Sequence, residues 1–213
     1  MKVNSSTSQR VKDRSLLIIF YRNPELGKVK TRLAATVGNE KALVIYLQLA
    51  SHTKSITEHV DVDKVVYYAD FVDKEDSWSN ALFDKQLQRG ADLGERMLNA
   101  FADGFSNGYQ SICIIGTDCF ELTTEIVTKA FKKLERQDAV IGPAQDGGYY
   151  LLGMNNLLAG VFKNKQWGTG SVCAATMSDF KKLGQNFFQL ELLTDVDQES
   201  DLPEAIRKSF QLL

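Results

Sequence analysis

The chain has 213 residues, of which 44% are hydrophobic and 24% are charged, as in ordinary globular proteins. This composition excludes collagen-like, low-complexity and largely disordered classes, and the length favours one full-size domain over two small ones. The 25 Lys and Arg residues against 27 Asp and Glu residues give a formal charge of -2. Without a basic excess, broad nucleic-acid binding is not expected.

A polar N-terminal segment precedes an alternation of apolar strands and amphipathic helices. Residues 1–14 lack an apolar period, which predicts a mobile arm before a single domain of residues 15–213. The predicted strands cover residues 16–20, 64–69, 111–115, 139–142, 149–153 and 187–190. The predicted helices cover residues 40–59, 93–105, 124–135, 172–183 and 203–210. Residues 23–37 and 70–80 are predicted to be loops. This alternation predicts an α/β sandwich with a mostly parallel sheet.

Cysteine content and hydropathy predict the compartment. Cys113, Cys119 and Cys173 form an odd set without the C-x-x-C spacing of zinc sites. The longest apolar run, residues 16–21, is far shorter than the roughly 20 residues that a membrane span requires. A polar segment precedes this run, where a secretory signal would be apolar. We therefore expect a cytoplasmic protein without a membrane span.

The two histidines, His52 and His59, fall in the predicted helix 40–59. On a helical wheel both point away from an apolar stripe of Leu43, Leu47 and Ala50, so we expect both on the solvated face. Without a histidine or cysteine cluster, the pattern argues against a Ser-His-Asp hydrolase or a histidine-rich metal site. Chemistry is expected to depend on carboxylates, lysines and arginines.

Ligands of open α/β sheets bind beyond the carboxyl ends of the strands, so the loop after the first strand is a candidate site. It carries Lys28, Lys30 and Arg32. Cations before a helix start suit a diphosphate, because the helix N-terminus already favours anions. A solvated loop explains the same residues, since charged loops are common. The segment matches neither of the usual glycine-rich nucleotide motifs.

Asp118 follows the apolar strand 111–115, where an isolated carboxylate is costly unless a metal, a cation or backbone donors partner it. Mg²⁺ binds one or two carboxylates together with phosphate oxygens. Two carboxylates would therefore suffice for a Mg²⁺ site, one from Asp118 and one from a late acidic cluster. This cluster consists of Asp195, Asp197 and Asp201. The alternative is that Asp118 caps the following helix.

Four further residues, Asp146, Asp92, Glu95 and Arg96, suggest local roles. Asp146 precedes two glycines, which would let the backbone approach a ligand, but a hairpin turn explains Asp-Gly equally well. Asp92 and Glu95 match a capping box at the start of the helix 93–105. Arg96 in the first turn of that helix opposes the helix dipole, which hints at an anionic partner.

Five segments together resemble a known family, the bacterial DUF2064 proteins, also described as transferase 1 of the arsenosugar-biosynthesis type within the nucleotide-diphospho-sugar transferase superfamily. The resemblance spans about residues 16–202. Its motifs are NPELGKVKTRL at 23–33, QRGADLGERM at 88–97, IGTDC at 115–119, GPAQDGGYY at 142–150 and DVDQESDL at 195–202. The resemblance implies a glycosyltransferase A-type, Rossmann-like sandwich with a mixed, mostly parallel sheet. It also implies a divalent cation, Mg²⁺ or Mn²⁺, at a nucleotide diphosphate.

The resemblance implies site residues by position. Asp118 and Asp197 would be the metal ligands. The phosphates would be held by Lys28, Lys30 and Arg32. The nucleotide base would be contacted by Gln88, Gly90 and Arg96. Asp146 falls near the acceptor. Two positions depart from the family pattern, since Arg22 stands where Lys is expected and Phe120 where Pro is usual.

The resemblance implies metal-dependent transfer of a sugar from a nucleotide-diphospho-sugar to a small acceptor. The metal, Lys30 and Arg32 would stabilise the leaving diphosphate, and Asp146 would act as the base toward an acceptor hydroxyl. The alternative is nucleotidyl transfer from a nucleoside triphosphate to a phosphorylated small molecule, with release of pyrophosphate. A third possibility is a nucleotide-binding protein without catalysis.

Overall fold

The computed structural model describes residues 14–211, so the predicted arm lies outside the described residues except for Arg14. The strands are β1 (Ser15–Tyr21), β2 (Asp63–Tyr68), β3 (Asp84–Leu87), β4 (Ser111–Ile115), β5 (Ala139–Pro143), β6 (Tyr149–Met154) and β7 (Phe187–Gln189). The α-helices are α1 (Thr31–Val37), α2 (Asn39–Glu58), α3 (Leu93–Ser106), α4 (Thr124–Leu134), α5 (Val172–Lys182) and α6 (Glu204–Gln211). Short 3-10 helices cover Ala159–Phe162 and Glu199–Asp201.

The strands form one sheet in the order β3-β2-β1-β4-β6-β5-β7. β6 runs antiparallel to β4 and β5, and the other neighbouring strands run parallel. The predicted mixed, mostly parallel sheet is therefore confirmed. Leu17, Ile18 and Ile19 of β1 are fully buried, because helices cover both faces of the sheet at this central strand.

Alternate residues of β1 pack into two apolar clusters on opposite faces of the sheet, as the period of a strand requires. Leu17 and Ile19 pack with residues of α2 and α4. Leu16 and Ile18 pack with residues of α3 and α5. A third cluster joins α1 and α2 to the late segment of the chain and consists of Leu33, Ala42, Ile45, Leu49, Val196, Leu202 and Ile206.

Two elements were not predicted. The helix α1 lies inside the segment 23–37, which was wrongly predicted to be a loop throughout. It has only seven residues, and Leu33 is its one buried residue, so its sequence shows no repeating apolar pattern. The edge strand β3 has the sequence DKQL, pairs with β2, and leaves three of its four side chains exposed. An exposed edge strand has no buried face and therefore no alternating pattern.

The histidine prediction was half right. His59 is exposed, but His52 is partly buried, with Nε2 2.9 Å from the carbonyl oxygen of Leu122 and its ring 4.6 Å from that of Phe120. The predicted apolar stripe was also wrong in part, because Leu47 is 44% exposed. The three cysteines are buried and free. Within residues 14–211, none of the helices combines the length and apolarity that crossing a bilayer requires.

Candidate active site at the carboxyl edge of the sheet

A cavity of about 530 Å³ lies at the carboxyl ends of β1, β2 and β4. Its walls include the last residues of β1, Ala69 after β2, and the turn that follows β4. The first residues of β6 also line it, because this antiparallel strand begins at the same edge of the sheet. This is the edge at which open α/β sheets bind ligands.

Lys30 lies just before α1 and extends its side chain into this region. Its backbone adopts the left-handed conformation, with φ 49°, which is uncommon for a residue other than glycine. Its side chain is 6% exposed, and Nζ lies 2.7 Å from Oδ1 of Asp118. Nζ also donates to the carbonyl oxygen of Val196 at 2.6 Å. One ammonium group thus connects the loop after β1, the end of β4 and the late acidic segment.

Asp118 stands in the turn after β4 and lines the cavity, with a side chain that is 47% exposed. Its carbonyl oxygen accepts a hydrogen bond from the backbone of Val196 at 2.9 Å. The interpretation of Asp118 as a helix cap is wrong, because α4 begins six residues later and its cap is Thr123. The carboxylate is therefore available to the cavity.

Asp197 lines the same cavity as Asp118. Its Oδ2 lies 2.6 Å from Nη1 of Arg32, and its backbone N–H donates to Asp201 at 3.1 Å. Because Val196 pairs with the backbone of Asp118, the residue next to Val196 is held beside the end of β4. The fold thus brings together two carboxylates that are far apart in the sequence, and each forms an ion pair with a cation from the start of α1.

Asp195 also lines the cavity, although sequence reasoning gave it no role of its own. Burial, and after it the nearby charges of Asp118 and Asp146, raise the pKa of its carboxyl group to about 7. The ammonium of Lys30 and a hydrogen bond from Cys119 act in the opposite direction. The signal available in the sequence was the spacing of two residues between Asp195 and the proposed ligand Asp197.

The oxygens around the Lys30 ammonium are suited to a divalent cation. One is a carboxylate oxygen of Asp118 and the other is the carbonyl oxygen of Val196, both hard ligands of the kind that Mg²⁺ and Mn²⁺ prefer. In the described part of the chain, no three His, Cys, Asp or Glu side chains form a metal site by themselves. A divalent cation here would therefore need oxygens from substrate or water, as Mg²⁺ commonly does.

The three residues expected to contact the base are connected to one another, but only Gln88 lines the cavity. Its amide donates to the carbonyl oxygen of Tyr67 at 2.9 Å and accepts from Arg96 at 3.4 Å. Arg96 also donates to the carbonyl oxygen of Gly90 at 3.2 Å. Gly90 has φ 143°, and a Cβ there would lie 2.7 Å from the backbone nitrogen of Arg96. Arg96 thus contacts neutral oxygens within the protein.

Lys28 and Asp146 lie outside the cavity wall. Lys28 is exposed and pairs with Glu25 at 2.7 Å. Asp146 is exposed, and its Oδ1 accepts the backbone N–H of Gly148 at 2.8 Å, so the turn interpretation of this segment is confirmed. The carboxylate nevertheless lies near enough to Asp195 to raise its pKa.

The remaining predictions concern a helix cap and a departure from the family pattern. The cap of α3 is confirmed, because Asp92 accepts the backbone N–H of Glu95 at 2.9 Å. Phe120 is not in the cavity wall and packs on His52. The replacement of the usual proline by Phe120 therefore does not obstruct the cavity.

A family model described as an uncharacterised protein conserved in bacteria, DUF2064, matches residues 52–169, more than half of the chain. The chain belongs to the DUF2064 family. No curated protein sequence matches it. The DUF2064 match contains Gln88, Asp118 and Asp146, whereas the cations of segment 23–33 and the acidic segment 195–202 lie outside it. The association of these two segments with Asp118 comes from the fold.

Solved structures resemble this DUF2064 chain over most of its length. A proposed nucleotide-diphospho-sugar transferase from Desulfovibrio desulfuricans G20 is 29% identical, with a TM-score of 0.84 over 94% of this chain and 96% of that one. A cytidylyltransferase from Leptospira borgpetersenii is 13% identical, with a TM-score of 0.54 over 84% and 76%. Rv0371c from Mycobacterium tuberculosis H37Rv, in complex with manganese, is 9% identical, with a TM-score of 0.55 over 94% and 100%. The last two show a shared fold.

One residue in the wall was not among the predicted ligands of the DUF2064 chain. Arg22 directly follows β1 and lines the cavity. The phenol of Tyr46 fixes its backbone, accepting its N–H at 3.0 Å and donating to its carbonyl oxygen at 2.6 Å. Unlike Lys30 and Arg32, the Arg22 guanidinium forms no ion pair with a described carboxylate. Its position directly after an apolar strand was the signal in the sequence.

Proposed function

We propose that this DUF2064 protein transfers a sugar from a nucleotide-diphospho-sugar to a small acceptor with the help of Mg²⁺ or Mn²⁺. One observation carries the proposal: Asp118 and Asp197 line a single cavity, where each is paired with a cation. Alternating carboxylates and cations match the alternating charges of a metal diphosphate. The likeness to the Desulfovibrio protein supports the same activity class.

The cavity is large enough for such a donor. Its volume of about 530 Å³ falls within the range of small-molecule sites. Lys30 and Arg32 would bind the diphosphate, with Lys28 nearby on the same loop. Gln88, which also lines the cavity, would contact the base, and Gly90 and Arg96 would hold Gln88 in place through the hydrogen bonds that connect them.

The reaction breaks the bond between the sugar carbon and the diphosphate and forms a bond from that carbon to an acceptor oxygen. Asp118 and Asp197 would hold the divalent cation, which supplies Lewis-acid stabilisation of the leaving diphosphate. Lys30 and Arg32 would donate hydrogen bonds to the same leaving group. Asp146, which lies outside the cavity wall but near Asp195, would accept the proton of the acceptor hydroxyl through its Oδ2, since this oxygen accepts no hydrogen bond from the described residues.

Nucleotidyl transfer is the second candidate, and Arg22 is the observation that favours it. A nucleoside triphosphate has one more phosphate group than the diphosphate that Lys30 and Arg32 would bind, and a phosphorylated acceptor brings a further phosphate of its own. Arg22 lines the cavity, and its guanidinium is suited to a phosphate, which it can bind through two parallel hydrogen bonds. The cytoplasmic location and the absence of a nucleic-acid partner stay predictions from the composition.

The test is turnover of a panel of nucleotide sugars and nucleoside triphosphates with small acceptors, in Mg²⁺ or Mn²⁺, by the wild-type protein and Asp118→Asn. We expect the variant to lose about 100-fold in turnover, because it removes a charge that would hold the cation. Asp61→Asn, the same change on an exposed residue before β2, is the control and should retain full turnover. Thermal melting would verify that both variants fold.

The products separate the candidate functions. A nucleoside diphosphate indicates sugar transfer, and pyrophosphate indicates nucleotidyl transfer. Tight nucleotide binding in calorimetry without any turnover across the panel would instead indicate a binding protein. Undiminished turnover of Asp118→Asn would remove the divalent cation from the reaction.

A further inference from the structure

The position best suited to a divalent cation already contains a positive charge. Nζ of Lys30 lies 2.7 Å from Oδ1 of Asp118 and 2.6 Å from the carbonyl oxygen of Val196. A divalent cation bound to these oxygens would have to share the space with the ammonium. Like charges at such short separation repel strongly, so the two cannot use the oxygens together.

Several features hold the Lys30 side chain in this place. The side chain is 6% exposed, so the ammonium has little access to water. The backbone of Lys30 is in the left-handed region, with φ 49° and ψ 45°. Strained conformations of this kind persist where the surrounding structure determines them, and they are concentrated at functional sites. The position of the ammonium is therefore a property of the fold and not of a freely rotating surface lysine.

Arg32 makes the corresponding contact with Asp197, but it is held less firmly. Its side chain is 67% exposed, and ion pairs of exposed groups are weak and screened by salt. Of these two cations, Lys30 is thus the one that would decide whether a divalent cation binds.

We propose that Lys30 competes with a divalent cation for the oxygens of Asp118 and Val196, so that a diphosphate that engages Lys30 strengthens the binding of the cation. A diphosphate would draw the ammonium toward its own oxygens and release Asp118 for the cation. By thermodynamic linkage, the cation would then strengthen diphosphate binding by the same factor. This inference depends on the proposed function, because it assumes that the diphosphate and the cation share this cavity.

The experiment measures Mn²⁺ affinity without nucleotide, by electron paramagnetic resonance of free Mn²⁺. Lys30→Met removes the ammonium and keeps the length of the side chain, and Met meets the same left-handed backbone penalty as Lys. We expect Lys30→Met to bind Mn²⁺ about tenfold more tightly than the wild-type protein, because a competing charge is gone. Lys41→Met removes an exposed lysine of α2 and serves as the charge-matched control, with unchanged affinity.

A second measurement should move in the opposite direction. In calorimetry with inorganic pyrophosphate and EDTA, Lys30→Met should bind the anion more weakly than the wild-type protein, since a cation for the phosphates is lost. Damage to the fold would weaken the binding of both ligands. A higher affinity for Mn²⁺ together with a lower affinity for pyrophosphate would therefore identify competition. Lys30→Gln gives the same comparison if Lys30→Met does not fold.

The double variant Lys30→Met, Asp118→Asn tests whether the gain in Mn²⁺ affinity depends on Asp118. It should lose the gain in Mn²⁺ affinity, and a gain that persists would overturn the inference. Equal Mn²⁺ affinity of Lys30→Met and the wild-type protein would overturn it as well. If turnover of the wild-type protein nevertheless requires Mn²⁺, the proposed function survives that result. Turnover that does not require a metal would refute the role of the divalent cation in the proposed function, and it would refute this inference as well.

Discussion

Replacing Asp195 by Asn should remove a large part of the pH dependence of stability. Burial and the charges of Asp118 and Asp146 raise the pKa of the Asp195 carboxyl group from 3.8 to about 7 in the folded protein. Between these two values the folded state holds a proton that the unfolded state releases. The contribution of Asp195 to the free energy of unfolding must therefore fall as the pH rises from about 4 to about 7.

The size of this fall follows from the shift. Each unit of pKa corresponds to about 1.4 kcal/mol, so a shift of about three units corresponds to about 4 kcal/mol. Asp195 is only partly buried, and contact with water lowers the expected contribution to about 2–4 kcal/mol. The amide of the substituted side chain would be an uncharged group of the same shape at every pH. Asp195→Asn should thus match the wild-type protein near pH 4 and exceed its stability near pH 8.

Urea unfolding at pH 4.5 and pH 8, in EDTA, measures the effect. The control is Asp61→Asn, an exposed residue in the turn between α2 and β2, which should keep the pH dependence of the wild-type protein. If the stabilities of Asp195→Asn and the wild-type protein fall equally between the two pH values, the carboxyl group of Asp195 is not held in its protonated form, and the reasoning is refuted.

Two packing predictions are independent of chemistry. Gly94→Ala should lower the free energy of unfolding by about 1–3 kcal/mol and shift the fluorescence of Trp167, because a Cβ at this position would lie 2.6 Å from the indole ring. Gly116→Ala should be tolerated, because a Cβ there meets no atom within 4 Å. Equal urea midpoints for the two variants would contradict this. Asn23→Ala should lower the free energy of unfolding in urea by about 2–3 kcal/mol. The buried amide of Asn23 donates to the carbonyl oxygen of Phe71 at 3.0 Å and accepts the backbone N–H groups of Asp70 and Phe71. A cost near zero would show that this loop does not depend on Asn23.

Elements with a complete buried face could be predicted from the sequence. β1 has a continuous apolar run because both of its faces are covered, and α3 has a regular apolar stripe with Asp92 at its start. The elements that were missed, α1 and β3, bury too little to produce a period. Their positions depend on contacts with distant parts of the chain, which a local pattern does not record.

The site shows a similar division. Asp118 and Lys30 could be singled out because polar residues follow buried strands at the edge where ligands bind. Their direct contact, and that of Arg32 with Asp197, are products of tertiary structure over more than 80 positions in the chain. The carbonyl oxygen of Val196 could not be predicted, since it belongs to the backbone and any residue could supply it. The roles of these residues in catalysis stay predictions.

The apolar cluster of α1, α2 and the late segment has a consequence for biosynthesis. Val196 and Leu202 share one apolar cluster with Leu33, so the acidic segment reaches its place by packing with residues that are translated much earlier. A nascent chain that extends past Asp118 but ends before residue 195 would contain Lys30 and Asp118 but not Asp197. Completion of the carboxylate pair, and hence any catalysis that needs it, would then wait until Asp197 has been translated.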